Sequence, residues 1–145
     1  MEGEERTTIR QEGVYGGRSI ARRFRSSEGW TILVGRNDRD NDLLTFKIGR
    51  PNDLWLHVAG ESGSHVLVLN DGSDRVPRET EHLAAGLAAR YSKARRGGRV
   101  AVHLCRCGEV TKPRGLPPGK VAVRRGKTVH AKPLTDEELE DWRDL

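Results

Sequence analysis

Apolar residues in this chain arrive in short β-branched or aromatic runs separated by turn residues, and the clearest helical period is confined to one long segment. That pattern restricts the fold most. Runs of four to eight residues build strands, whereas recurrence every three to four residues builds a helix. Strands are expected over 20–25, 30–34, 54–58, 64–69, 99–104, 120–124 and 128–131. Ser26-Ser27-Glu28-Gly29 supplies turn chemistry that joins the first two as a hairpin. Leu83, Leu87 and Tyr91 recur every four residues and predict a long helix over 77–96, closed by Gly97-Gly98. A shorter helix over 38–48 starts at Asn37, whose side-chain oxygen can cap it, and stops at Gly49-Arg50-Pro51. A last helix starts at Thr135, with Glu138 three residues on as a capping box and Leu134 stapled to Leu139. The expected fold is α+β: a single domain with a largely antiparallel sheet packed by one long and one or two shorter helices.

The 145 residues suit one domain. Residues 1–17 are polar and aperiodic and are expected as a flexible tail. Residues 18–133 form the domain, and 134–145 form an acidic C-terminal helix. No stretch approaches the roughly 20 apolar residues of a membrane span, and the acidic start, Met1 to Glu5, is not a signal peptide. With two cysteines the chain is no disulfide scaffold, which points to the cytoplasm.

Charge is distributed unevenly. Residues 1–86 balance at −2, residues 87–132 at +12 and residues 133–145 at −5, within a net +5. A basic run of that length attracts polyanions, and nucleic acid is the expected partner. The acidic terminal helix can compete for that basic face, dock a partner, or seal the domain's own core with Leu139 and Trp142.

A set of short motifs stands in one order: Gly35-Arg36-Asn37, Asn41-Asp42, Arg50-Pro51-Asn52-Asp53-Leu54-Trp55-Leu56-His57, Gly63-Ser64-His65 and Tyr91-Ser92-Lys93-Ala94-Arg95. Lys112-Pro113-Arg114-Gly115 and Pro118-Gly119-Lys120-Val121 follow. From about Ile20 to Pro133 the chain resembles the NFACT-R family, the RNA-binding module of NFACT ribosome quality-control proteins. Full-length NFACT proteins carry further domains that 145 residues cannot hold, so the resemblance is to the stand-alone bacterial type. It implies a non-catalytic module that binds tRNA or ribosome-associated RNA. The settings it implies are translation quality control and tRNA metabolism, including a role as adaptor to a tRNA-modification (thiolation) enzyme.

Candidate RNA-binding residues fall in four groups. The loop 112–120 is stiffened by prolines and opened by glycines, and Lys112, Arg114 and Lys120 give it phosphate-binding charge. At the end of the main helix Ser92, Lys93 and Arg95 are phosphate candidates, with compensation of the helix dipole as the structural alternative. Tyr91 continues the apolar stripe and reads as core rather than a stacking platform. Arg22, Arg23 and Arg25 on the first strand join Arg36, Asn37 and Asn41 at the start of the first helix, with Asn37 as a plain cap the competing role.

His57, Ser64 and His65 form the fourth group, because neighbouring strands roughly 5 Å apart can bring the two rings together. RNA contact, structural hydrogen bonding, and metal or acid–base chemistry all remain open for that pair. An RNA-cleaving or RNA-modifying enzyme centred on His57 and His65, with Asp53 the nearest carboxylate in sequence, is the alternative to a binding module. His103, Cys105 and Cys107 alternate like strand ligands, but no Cys-x-x-Cys knuckle accompanies them, and neither a metal nor a cofactor is expected.

Overall fold

The computed structural model describes residues 10–72 and 74–144. Its centre is a six-stranded antiparallel sheet built from β3 (Ala21–Arg25), β4 (Thr31–Gly35), β5 (Leu54–Val58), β6 (Val66–Val68), β7 (Val100–Arg106) and β10 (Lys127–Ala131). Their spatial order is β10-β7-β5-β6-β4-β3. Two small ribbons flank it: β1 (Val14–Tyr15) with β2 (Arg18–Ser19), and β8 (Val110–Thr111) with β9 (Ala122–Val123). The expected α+β class is what forms.

Strand alternation gives the sheet two buried faces. Ile32, Val34, Leu56, Val58, Val66 and Val68 point to one core, shared with Ala84, Leu87 and Ala88 of α2 (Arg78–Arg90) and with Leu139 of α3 (Asp136–Trp142). Leu33, Trp55, Leu67 and Cys105 point to the other. That second core is covered by α1 (Asp38–Leu43), by the π-helical turn Leu44–Ile48 that continues it, and by Val110 of β8. A sheet buried on both faces explains why β4 and β6 read as continuous apolar runs. Among the described residues no helix is long and apolar enough to cross a membrane.

The structure departs from the sequence reading in three places. Residues 10–17, expected within a flexible tail, are folded. Arg10 is 4% exposed and bonds Asp53 through both terminal nitrogens at 2.8 and 2.6 Å, and Gly13 precedes the β1–β2 ribbon. Residues 1–9 of that expected tail lie outside the described residues. The long helix ends at Arg90 rather than 96. There the chain pairs instead with the turn before β6: Ser64 N–H donates to Tyr91 O, Lys93 N–H donates to Ser62 O, and Gly63 bridges Ser92. A Cβ on Gly63 would lie 2.8 Å from Ser92 Cβ, so only glycine permits that approach. Finally, β8 was not expected, and the strand expected over 120–124 shrinks to β9, which pairs with β8 outside the main sheet.

Candidate nucleic-acid interface

The end of α2, the turn before β6 and the start of α1 meet along one open groove of about 790 Å³. Arg22, Arg36, Asn37, Asn41, Ser64, Ser92, Lys93 and Arg95 all line it, so separate sequence groups converge. Arg36, Lys93 and Arg95 are exposed, as is Arg96, which the sequence reading did not single out. Arg22 is half-buried, its guanidinium 4.9 Å from the centre of the Tyr91 ring. That contact orients the arginine over an aromatic face. Tyr91 also packs against the first core, as the apolar stripe predicts. Because the helix ends at Arg90, Lys93 and Arg95 stand beyond its last turn, on the turn that borders the groove. Asp38 places one carboxylate on the same rim.

Other candidates are engaged within the domain and give the groove its shape. Asn37 caps α1, its Oδ1 accepting from Asp40 N–H at 2.8 Å. Asn41 is 2% exposed, and its Oδ1 accepts from His65 N–H at 3.0 Å. Ser92 Oγ donates to Ala89 O at 2.7 Å. Arg23 and Arg25 pair with Asp144 at 3.3 and 3.0 Å, around the outer edge of β3.

Loop 112–120 is held from inside. Lys112 Nζ lies 3.1 Å from Asp42 and donates to the carbonyls of Pro117 and Lys120 at 2.6 Å each. The loop's tip is left to Arg114 and Leu116, both exposed. Asp42 also accepts from Gly119 N–H at 3.2 Å, which fastens the loop to α1.

His57 and His65 do converge, their ring centres 5.6 Å apart and mutually perpendicular. Their environments differ. His65 is 1% exposed and sits in a chain of donors: Trp55 Nε1–H donates to Thr45 Oγ1 at 3.1 Å, and the Thr45 hydroxyl donates to His65 Nδ1 at 2.7 Å. His65 Nε2–H donates to Gly119 O at 3.1 Å. A carbonyl can only accept, so this last bond fixes the neutral tautomer. Burial, with the charge of nearby His57 adding to it, pushes the His65 pKa down to about 4. The ring is a strut between the π-helical turn and loop 112–120.

His57 is half-buried and lies nearly parallel to Trp55, with ring centres 5.8 Å apart and planes at 15°. Burial lowers its pKa as well. Its cross-strand partner is His103, and both rings border a cavity of about 190 Å³ closed by Gly119, Lys120, Val121 and Val123.

Acid–base chemistry finds little support in this arrangement. Both His65 nitrogens are occupied. Asp53 is fully buried and satisfied by Arg10 and by the backbone N–H groups of Arg50 and Asn70. Cys105 and Cys107 are buried, and burial pushes each thiol up to about 12. Among the described residues no group of three or more His, Cys, Asp or Glu side chains is placed to hold a metal ion.

Sequence reasoning missed Trp55, Thr45 and His103 as parts of this arrangement. The Trp55–His57 alternation was legible in principle, since residues two apart on a strand share a face. The His57–His103 pairing was not, because register between distant strands leaves no local mark.

Comparison with known proteins identifies relatives of the chain. The family model for the NFACT protein RNA binding domain matches residues 21–125. The Rqc2 homolog RqcH of Streptococcus suis is 40% identical over 118 residues, covering 79% of this chain and 21% of that protein. The Rqc2 homolog RqcH of Bacillus subtilis is 37% identical over 113 residues, covering 78% and 19%. The chain thus spans about a fifth of the length of these curated relatives. The solved C-terminal part of the fibronectin/fibrinogen-binding protein from Streptococcus suis superposes with a TM-score of 0.80 at 36% identity. That match covers 88% of this chain and 50% of the solved one.

Proposed function

The chain belongs to the NFACT RNA-binding domain family, and from that premise we propose that it binds tRNA or ribosome-associated RNA without catalysing a reaction on it. The grip is electrostatic. Arg22, Arg36, Lys93, Arg95 and Arg96 face the groove, and Lys120 with Arg114 extends the charge along loop 112–120. The observation that carries this reading is the convergence of Arg22, Arg36, Lys93, Arg95 and Arg96, scattered through the sequence, on one groove. Phosphate contacts of this kind fix the register of a nucleic acid without reading its sequence. The bacterial relatives are named as Rqc2 homologs, and two others carry the name of a ribosome quality control complex subunit. Their names support a place in ribosome quality control.

Neutralising four to six phosphates gives a log–log dependence of affinity on salt of roughly −3 to −5. Titrating tRNA between dilute and physiological buffer measures it, and an affinity indifferent to salt overturns the groove model. Lys93→Ala and Arg95→Ala should each lower the slope by roughly one and weaken unrelated RNA sequences alike. Incubating the protein with tRNA, with and without divalent metal, tests the absence of turnover. Cleavage or modification that disappears in His57→Ala would establish an enzyme instead.

A further inference from the structure

We propose that the cavity bordered by Trp55, His57, His103 and Lys120 is a pocket for one unstacked nucleobase of the bound RNA. This rests on the RNA-binding reading and adds to it, because a groove of cations grips any backbone whereas a pocket of this kind requires an exposed base.

Asp38, Ser62 and Gly63 border both the cation-lined groove and the cavity, so the two share a rim. A nucleotide whose phosphate rests among Arg36, Lys93 and Arg95 has its base within reach of the cavity. Size comes next. At about 190 Å³ the cavity is smaller than the roughly 300–1,000 Å³ of drug-sized sites, and suits a single planar ring system.

The walls suit a base as well. His57 is the outer ring of a near-parallel pair with Trp55, which is itself 2% exposed. His65, edge-on to both rings, is locked by Thr45 and Gly119 and keeps them in place. Val121 and Val123 add apolar walls. Flat π surfaces beside aliphatic ones are how proteins hold bases splayed from single-stranded loops.

Polar groups stand at the mouth. Lys120 is exposed on one side, and the Asp38 carboxylate lies over Gly119, where a Cβ would come within 2.9 Å of its Oδ1. Asp38 offers acceptors only, so it favours a base edge that presents N–H groups. The expected preference is therefore for a guanine over a uracil at the inserted position.

The test uses the whole chain and three synthetic RNA hairpins with one stem: a loop with a guanine at its centre, the same loop with uracil there, and the same loop with an abasic site there. Wild-type protein should bind the guanine loop roughly tenfold tighter than the abasic loop, with uracil between them. His57→Ala should erase that difference by weakening the guanine loop most, the uracil loop less and the abasic loop not at all, and His57→Phe, which keeps a flat ring, should restore most of it. Lys93→Ala should weaken all three hairpins by the same factor. Equal wild-type affinity for all three loops overturns the pocket while leaving the groove intact, and needs no variant to be folded. A guanine preference that survives in folded His57→Ala also overturns it, since the base is then read elsewhere. Failure to bind any hairpin, tRNA included, overturns the RNA-binding reading itself.

Discussion

At the scale of single residues, the decisive contrast is between two histidines that look alike in sequence. His65 is held neutral by a hydroxyl and a carbonyl, with its pKa pushed down to about 4 from an ordinary 6.5. The unfolded chain takes up a proton near pH 6.5 and the folded chain does not. The stability that comes from keeping the ring neutral is therefore complete above pH 6.5 and is lost as pH falls toward 4. Unfolding in denaturant at pH 7 and pH 5 should show a difference of about 2 kcal/mol from this residue. His65→Gln should flatten that pH slope even if it lowers stability throughout, and a slope unchanged in the variant refutes the strut. Lys112 shows the same division between look and role. Its ammonium is spent on Asp42 and two carbonyls of its own loop. Lys112→Ala should raise amide exchange over 113–119, while reducing the salt slope of RNA binding less than Lys93→Ala does.

Elements carry a second set of consequences, clearest at the C-terminal helix. Leu139 is 5% exposed, Trp142 packs against the same core, and the chain then turns to lie along β3, where Asp144 N–H donates to Arg23 O. Of the roles open to this helix from sequence, sealing the domain's own core is the one its apolar residues perform. Leu139→Ala should cost roughly 2–5 kcal/mol in denaturant unfolding, as burial of a leucine at a packed interface requires. Asp144 also occupies Arg23 and Arg25 at the sheet edge. Asp144→Asn should remove the charge that both arginines pair with and tighten RNA binding a few-fold at low salt, with the gain vanishing as salt screens the charges. An unchanged affinity at low salt means that those arginines lie outside the RNA footprint. The opposite edge strand, β10, keeps Lys127 and His130 exposed, and a charged residue on a free edge discourages pairing with another chain.

The whole molecule is a sheet with two cores of unequal character. One is built from aliphatic residues beneath α2 and α3, and the other includes Trp55 and both cysteines beneath the π-helical turn and β8. With thiol pKa values near 12 in that second core, the reactive thiolate is scarce at pH 8 and access is closed. Labelling of Cys105 and Cys107 by an alkylating reagent should therefore be slow and should speed up in parallel with global unfolding in denaturant. Rapid labelling under native conditions would mean that the β8–β9 side opens on its own. Since loop 112–120 and the His57 cavity sit on that side, such opening would also predict that RNA binding slows the labelling.

The sequence by itself determined the elements whose cause is local. The capping box at Thr135 and Glu138, the Asn37 cap and the strand at 54–58 stand where propensity and pattern put them. The order of short motifs likewise determined the family, and the charge asymmetry pointed to a polyanionic partner. Only the tertiary structure decided what depends on contacts between distant segments. The main helix stops at Arg90 because the backbone after it pairs with Ser62–Ser64, an option that no helical period registers. Arg10 belongs to the fold because Asp53, 43 positions away, needs a buried counter-charge. His57 and His65 carry the same side chain, and burial with hydrogen bonding separates them: one ring is fully buried with both nitrogens satisfied by Thr45 and Gly119, and the other is half-buried. Local chemistry sets which conformations a segment prefers, while desolvation and hydrogen bonding across the fold set which of its polar groups remain free to act.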